Sequence, residues 1–288
     1  MNTSVFARAE EFIWKNARTL DRRLFAFHFK GGPAQAVIDA LRAYQNVDGG
    51  FGNALEPDIR CPDSQPVPVQ HALEILDSVG WDDAMAQRVC EYLVTITTDE
   101  GGVPFVLPSV RAYPRAPWWN TDDDPPASLN PTAAIAGMLH KHNVDHPWLA
   151  PATDFCHKQI GELGSLEVHQ AATVFTFLFH APDRAWAEAQ LERLMAILVA
   201  EGHIALAEDV GYVRKPLDWA PTPDHPLRRY FTDAQIEDNL NAVLAAQRED
   251  GGWSIAWPPV SPSCELEWRG WITVNTLVIL KANKRLGD

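Results

Sequence analysis

Three stretches decide the fold: AYQNVDGGFG at residues 43–52, TITTDEGGVPF at 95–105 and AAQREDGGWSI at 245–255. Each closes a helical pattern, and each carries an acidic residue, paired glycines and then an apolar or aromatic residue. A fainter copy, AEGHIAL, begins at Ala200. The second glycines, Gly50, Gly102 and Gly252, with Gly202 in the degenerate copy, fall about 50 residues apart with one copy missing, which suits a two-helix repeat. Glycine pairs fit helix C-termini because they take left-handed backbone geometry without a Cβ penalty, and Phe51, Val103 or Trp253 then packs back onto the hairpin. The motif is architectural, and it predicts an array of helical hairpins.

Working outward, periodic apolar residues and their breakers predict helices near 4–17, 33–46, 67–79, 84–97, 129–142, 147–162, 166–180, 184–201, 232–247 and 268–285. The helix at 33–46 is amphipathic, whereas 129–139 and 168–179 are almost apolar all round and read as members of an inner ring. Between the helices run long, Pro-rich, aromatic connections at 47–66, 99–128, 202–231 and 248–267. Loops of that length in a compact domain are functional or disordered, and their Trp and Tyr content argues against disorder.

The 288 residues, 46% hydrophobic, suffice for a large core, and one domain over 1–288 is the simplest expectation. A net charge of -14 disfavours nucleic acid and anionic membrane surfaces, which reward clustered Lys and Arg. The N-terminus lacks a basic segment followed by an apolar one, and the longest apolar stretch, 171–179, is too short to span a bilayer, so the expectation is a cytoplasmic protein with no membrane span. Cys61, Cys90, Cys156 and Cys264 are scattered with no CxxC pair, which predicts reduced thiols.

The stretch QREDGGWSIAW at 247–257 resembles the Q-x-x-x-G-x-W repeat of triterpene cyclases, and QNVDGGFGNALEP followed by VQHALEIL resembles a prenyltransferase β-subunit repeat. The chain thus resembles the terpenoid cyclase and protein prenyltransferase superfamily, squalene-hopene cyclase-like. The resemblance implies an all-α fold, an α/α toroid of about five to six hairpins with inner and outer helix rings. It also implies chemistry in a central cavity at the N-terminal ends of the inner helices. In this chain those ends carry Gln70 and His71, Asn130, His169 and Gln170, and Glu267 with Trp268 and Trp271.

The departures from the family are equally specific. Cyclases that protonate their substrate resemble one another in a D-x-D-D-T-A motif, where this chain reads Ser128-Leu129-Asn130-Pro131-Thr132-Ala133. Asn130 stands in the place of the proton-donating Asp, and a neutral amide cannot act as a general acid. His71 stands where prenyltransferase β-subunits place a zinc ligand, but Asp58 and Cys61 do not reproduce the Asp-x-Cys partner, and zinc is not expected. Asp122, Asp123 and Asp124 precede Pro125-Pro126, which favours a loop over a metal-holding helix, so neither metal nor cofactor is predicted.

Acid/base candidates follow from residue type. Glu56 and Asp58, in ALEPDIRCP, follow a glycine turn and precede the His71 helix, where burial and like-charge repulsion can keep one carboxyl protonated. Equally, Glu56 serves as a cap or pairs with Arg60. His71 and His169 titrate near neutrality and suit proton transfer, or else hydrogen-bond within the inner ring. Trp118 and Trp119 are adjacent indoles in a Pro-rich loop, a placement that suits pocket walls or cation-π contact, although single tryptophans are more often packing residues. Glu265 and Glu267 suit a helix N-terminus.

The expectation is an isomerase or lyase of terpenoid-cyclase type, which cyclises, dehydrates or isomerises a small hydrophobic isoprenoid. Glu56, Asp58, His71 and His169 are its catalytic candidates, and Trp118, Trp119, Asn130, Gln70 and Trp271 contact its substrate. The alternatives are a carbohydrate-active toroid acting as hydrolase, lyase or epimerase, and a non-catalytic binding module. The only partner expected is a small, hydrophobic molecule.

Overall fold

In the computed structural model, residues 4–209 and 213–286 are described, and every regular element among them is helical. The twelve α-helices are α1 (Val5–Asn16), α2 (Thr19–Lys30), α3 (Ala34–Arg42), α4 (Pro66–Val79), α5 (Asp83–Ile96), α6 (Leu129–Lys141), α7 (Leu149–Glu162), α8 (Val168–His180), α9 (Arg184–Ala200), α10 (Pro216–Trp219), α11 (Asp233–Ala245) and α12 (Pro262–Ala282). Isolated β-bridges stand in place of strands among the described residues. The chain divides into two compact units: Leu41–Glu201 forms one, and the segments before and after it form the other.

Short polar side chains set the helix starts, as the orphan N–H groups of a first turn require. Ser4 accepts from the Ala7 N–H, Asp82 from Met85, Asp183 from Trp186 and Ser261 from Cys264. Thr232 and Gln235 form a reciprocal capping box on α11.

The DGG stretches fold alike. In each, the residue three before the first glycine accepts that glycine's N–H and donates its own N–H to the second glycine's carbonyl: Asn46, Thr98 and Arg248, the latter bonds all 2.9 Å. The first glycines, Gly49, Gly101 and Gly251, have φ of 94°, 91° and 93°, backbone that penalises any side chain. Each pair docks on a neighbouring helix with one register. A Cβ on Gly49 would strike the Arg88 carbonyl of α5 at 2.1 Å and one on Gly50 the Tyr92 ring at 2.8 Å. For Gly101 and Gly102 the obstacles are Pro151 and Phe155 of α7, and for Gly251 and Gly252 they are Arg8 and Phe12 of α1. A backbone carbonyl and an aromatic ring four residues later, one helical turn apart, thus receive each turn. Where glutamine precedes the first glycine by four, its amide clamps the turn: Gln45 and Gln247 donate to the Gly49 and Gly251 carbonyls at 2.9 and 2.8 Å. The degenerate copy differs, because a Cβ on Gly202 would meet nothing within 4 Å.

Within Leu41–Glu201, α4, α6 and α8 form a parallel row. Asp77 near the end of α4 accepts from Lys141 and bonds His142 at the end of α6. Gly137, late in α6, meets Thr176 and Phe177, late in α8. Ends therefore meet ends, and the N-terminal ends of all three helices lie at the other extreme of the row. The apolar circumference of α6 has its explanation here, since Leu129 and Pro131–Leu139 are all buried.

Three elements differ from the sequence expectation. Helix α2 was not anticipated, although Leu20, Asp21, Leu24 and Phe25 mark its buried face at helical spacing, with Asp21 held by Arg18 at 2.9 Å. Helix α12 starts at Pro262 behind the Ser261 cap, so Glu267, Trp268 and Trp271 stand more than a turn inside it and not at its start. The segment expected to be loop at 202–231 contains the single turn α10. All four cysteines are buried, and burial raises the Cys90 thiol to about 12 and Cys156 still further.

Candidate functional site

The connection after the first DGG turn runs inward before α4 begins, because Gln65 anchors it. Gln65 is fully buried; its N–H donates to the Phe51 carbonyl at 2.9 Å, its Nε2 donates to Ser109 Oγ at 2.8 Å and its Oε1 accepts from the Leu107 N–H at 2.8 Å. One buried amide so satisfies two loops, as buried polar groups must be satisfied. The second loop, residues 107–119, is zipped onto the first by the Arg60 N–H to the Pro114 carbonyl and the Ala116 N–H to the Asp58 carbonyl, both 3.1 Å.

This folding sinks Glu56 and Asp58 to 3% and 2% exposure. Glu56 Oε2 lies 3.0 Å from His71 Nδ1, with 4% of the Glu56 side chain and 15% of the His71 side chain exposed. His71 occupies the second turn of α4, so the carboxylate of the loop and the imidazole of the helix meet at the N-terminal side of the parallel row. The imidazole of His71 is thus one partner of Glu56, and the Arg60 guanidinium Nη1 donates to the Pro57 carbonyl. The carboxylate lies within ion-pair distance of Nδ1, and the imidazole is the member that reaches solvent. Such a pair can accept a proton through the ring and store it against the carboxylate.

Beside the pair lies an apolar cluster of Ile59, Cys61, Val67, Val106 and Val110, with Phe105 and Trp119 packed on it. Burial raises the Cys61 thiol. The two adjacent tryptophans part company. Trp119 packs on Phe105 with ring centroids 5.0 Å apart, and its indole nitrogen is buried without a hydrogen-bond partner, while Trp118 stands 45% exposed.

The other sequence candidates are placed as follows. Gln70 donates to Glu74 Oε1 at 2.8 Å along α4. Asn130 has non-helical backbone angles before a cis Asn130-Pro131 bond, so the regular part of α6 begins at Pro131. The neighbouring Thr132 is structural: its Oγ1 accepts from the Val103 N–H at 3.0 Å, as Thr273 accepts from Trp253 in the third copy. His169 lies in the first turn of α8, where its N–H and that of Gln170 donate to the Glu167 cap. Trp271 belongs to α12, in the other compact unit. Asp122, Asp123 and Asp124 are exposed, and Asp123 pairs with Arg111. Among the described residues no three or more His, Cys, Asp or Glu side chains gather as a metal-holding group.

Sequence reasoning missed Gln65 and Ser109, whose signal was weak: a Gln before Pro66-Val67-Pro68, and a Ser within a long loop. It also missed a second polar group at the opposite end of the row, where Asp77 holds His142 at 2.7 Å and Trp81 stacks on the imidazole at 3.7 Å. Asp77 is held below the usual carboxylate range by Lys141 and His142 against its own burial, and burial pushes nearby His180 down to about 4. No protein-family profile matches the chain, and no curated protein matches it either.

Proposed function

We propose that the chain is an α/α toroid enzyme that performs acid/base chemistry through Glu56 and His71 on a small, hydrophobic, isoprenoid-like molecule, as isomerase or lyase. What supports the toroid is the uniform register of the DGG turns, the last of which docks on α1, so that the repeat returns to the chain's beginning. The observation that carries the chemistry is the 3.0 Å approach of a buried carboxylate and a partly exposed imidazole at the N-terminal side of the α4–α6–α8 row. The isoprenoid class is what the sequence resemblance implies. Asp58 and His169 are assigned supporting roles in charge and proton supply at the same end.

The test is turnover of isoprenoid alcohols and diphosphates followed by mass spectrometry, with Glu56→Gln and His71→Gln as variants. Loss of a general acid or base lowers the rate by about 10²–10⁴-fold. Turnover that persists in a folded Glu56→Gln protein sinks the reading, and so does the absence of turnover with every isoprenoid. A second reading, carbohydrate chemistry at the same pair, is favoured by one specific observation: Trp118 and Tyr113 present aromatic faces to solvent, 45% and 37% exposed, on the loop bonded to Asp58.

A further inference from the structure

We propose that the cleft lined by Arg115, Ala116, Pro117 and Asn120 is a subsite for a sugar that carries a carboxylate or phosphate group. The proposal deepens the carbohydrate reading and rests on it. The cleft is shallow and open to solvent, with room of about 390 Å³.

Arg115 is braced by neutral acceptors. Its Nη1 donates to the Arg111 and Tyr113 carbonyls at 3.0 and 3.1 Å, and its Nη2 donates to Asn120 Oδ1 at 2.8 Å. No carboxylate among the described residues pairs with it, in contrast to Arg111, which holds Asp123. In a chain of net charge -14, a guanidinium fixed in place and left without an acid keeps its charge for something else. The fork of remaining N–H donors matches the paired oxygens of a carboxylate or phosphate, and its rigidity reduces the ordering that binding requires.

The surroundings fit the rest of a sugar. Asn120 keeps its Nδ2 donor for a hydroxyl, and Trp118 and Tyr113 flank the cleft in sequence with exposed rings on which the apolar face of a pyranose can stack. The backbone is held rather than floppy: Arg115 bridges Ile59, and Ala116 bonds Asp58. The segment that lines the cleft is therefore bonded to the stretch that carries Asp58 and Ile59. A ligand anchored by its anion at Arg115 sits on the segment bonded to the loop that carries Glu56.

The experiment is calorimetric titration of the full chain at low salt with glucose 6-phosphate, glucuronate, glucose and inorganic phosphate, on wild type, Arg115→Gln and Trp118→Ala. Both anionic sugars should bind, glucose should bind at least about tenfold more weakly, and Arg115→Gln should remove that difference. Trp118→Ala should weaken all three sugars. Glucose 6-phosphate alone, or glucuronate alone, identifies which anion the fork takes. Equal binding of glucose and the anionic sugars, unchanged in Arg115→Gln, overturns the anionic subsite and leaves the carbohydrate reading standing. Inorganic phosphate binding as tightly as glucose 6-phosphate overturns the sugar assignment, and no binding by any probe overturns both. Both substitutions are at the surface, and thermal melting confirms that each variant is folded.

Discussion

Gly137→Ala should destabilise the protein, although helix propensity alone argues the reverse. Alanine is favoured over glycine by about 1 kcal/mol inside a helix, and Gly137 lies well within α6. Its ideal Cβ, however, would stand 2.6 Å from the Thr176 carbonyl oxygen and 2.7 and 2.8 Å from the Phe177 Cα and N, all backbone of α8. Ordinary van der Waals contact begins near 3.4 Å, so α8 must retreat by about 0.8 Å along the most extensive helix–helix contact in the molecule. The obstacle is backbone, which has no rotamer to change, and overpacking of this kind costs about 3 kcal/mol, the upper end of its usual range. The net loss is about 2 kcal/mol, a fall of roughly 4–8 °C in Tm for a cooperative unit of this size. Gly161→Ala is the matched comparison: it is also helical, on α7, but its Cβ meets nothing within 4 Å. That variant should be unchanged or stabilised by up to about 1 kcal/mol. Differential scanning calorimetry of both proteins checks the pair. A Gly137→Ala variant as stable as wild type would refute the close approach of α6 and α8.

The remaining predictions concern the packing of Phe12, pH and the thiols. Phe12→Ala removes a ring that is 1% exposed, receives Gly252 and lies under the Arg269 guanidinium at 4.6 Å; it should cost about 3–5 kcal/mol, read as a lower urea midpoint, and an unchanged midpoint counts against that packing. His180, pushed to about 4, and His140, also lowered by burial, have folded values below the unfolded value of about 6.5, so their stabilising contribution is present above that pH and is lost as pH falls toward 4. Tm should therefore decline over that window and decline less in His180→Asn; identical pH profiles would refute the assignment. All four cysteines should resist an aromatic disulfide reagent in the native state and react together on unfolding, and prompt labelling of any one under native conditions would contradict its burial.

Much of this protein is written locally. The D-G-G turns, the polar caps before α5, α9 and α11, and the apolar circumference of α6 are properties of a few consecutive residues, and local patterns suffice because hydrogen-bond closure and helix periodicity act over one or two turns. The sequence alone therefore determined an all-helical repeat with its turns in the right places. What each turn docks on was not written there: Gly102 abuts Phe155, and Gly252 abuts Phe12 from the far end of the chain. Nor could sequence place Glu56 against His71, because the two are 15 residues apart and the path of the loop between them depends on the long-range Gln65 bonds to Ser109 and Leu107. The tryptophan pair makes the same point, since adjacent residues in a 3₁₀ turn point different ways, and only the packing of Phe105 and Ile59 decided that Trp119 is covered and Trp118 is not. Periodicity fixes which residues can be buried; the long-range contacts, each costing chain entropy that only the assembled core offsets, decide which charges end up facing one another.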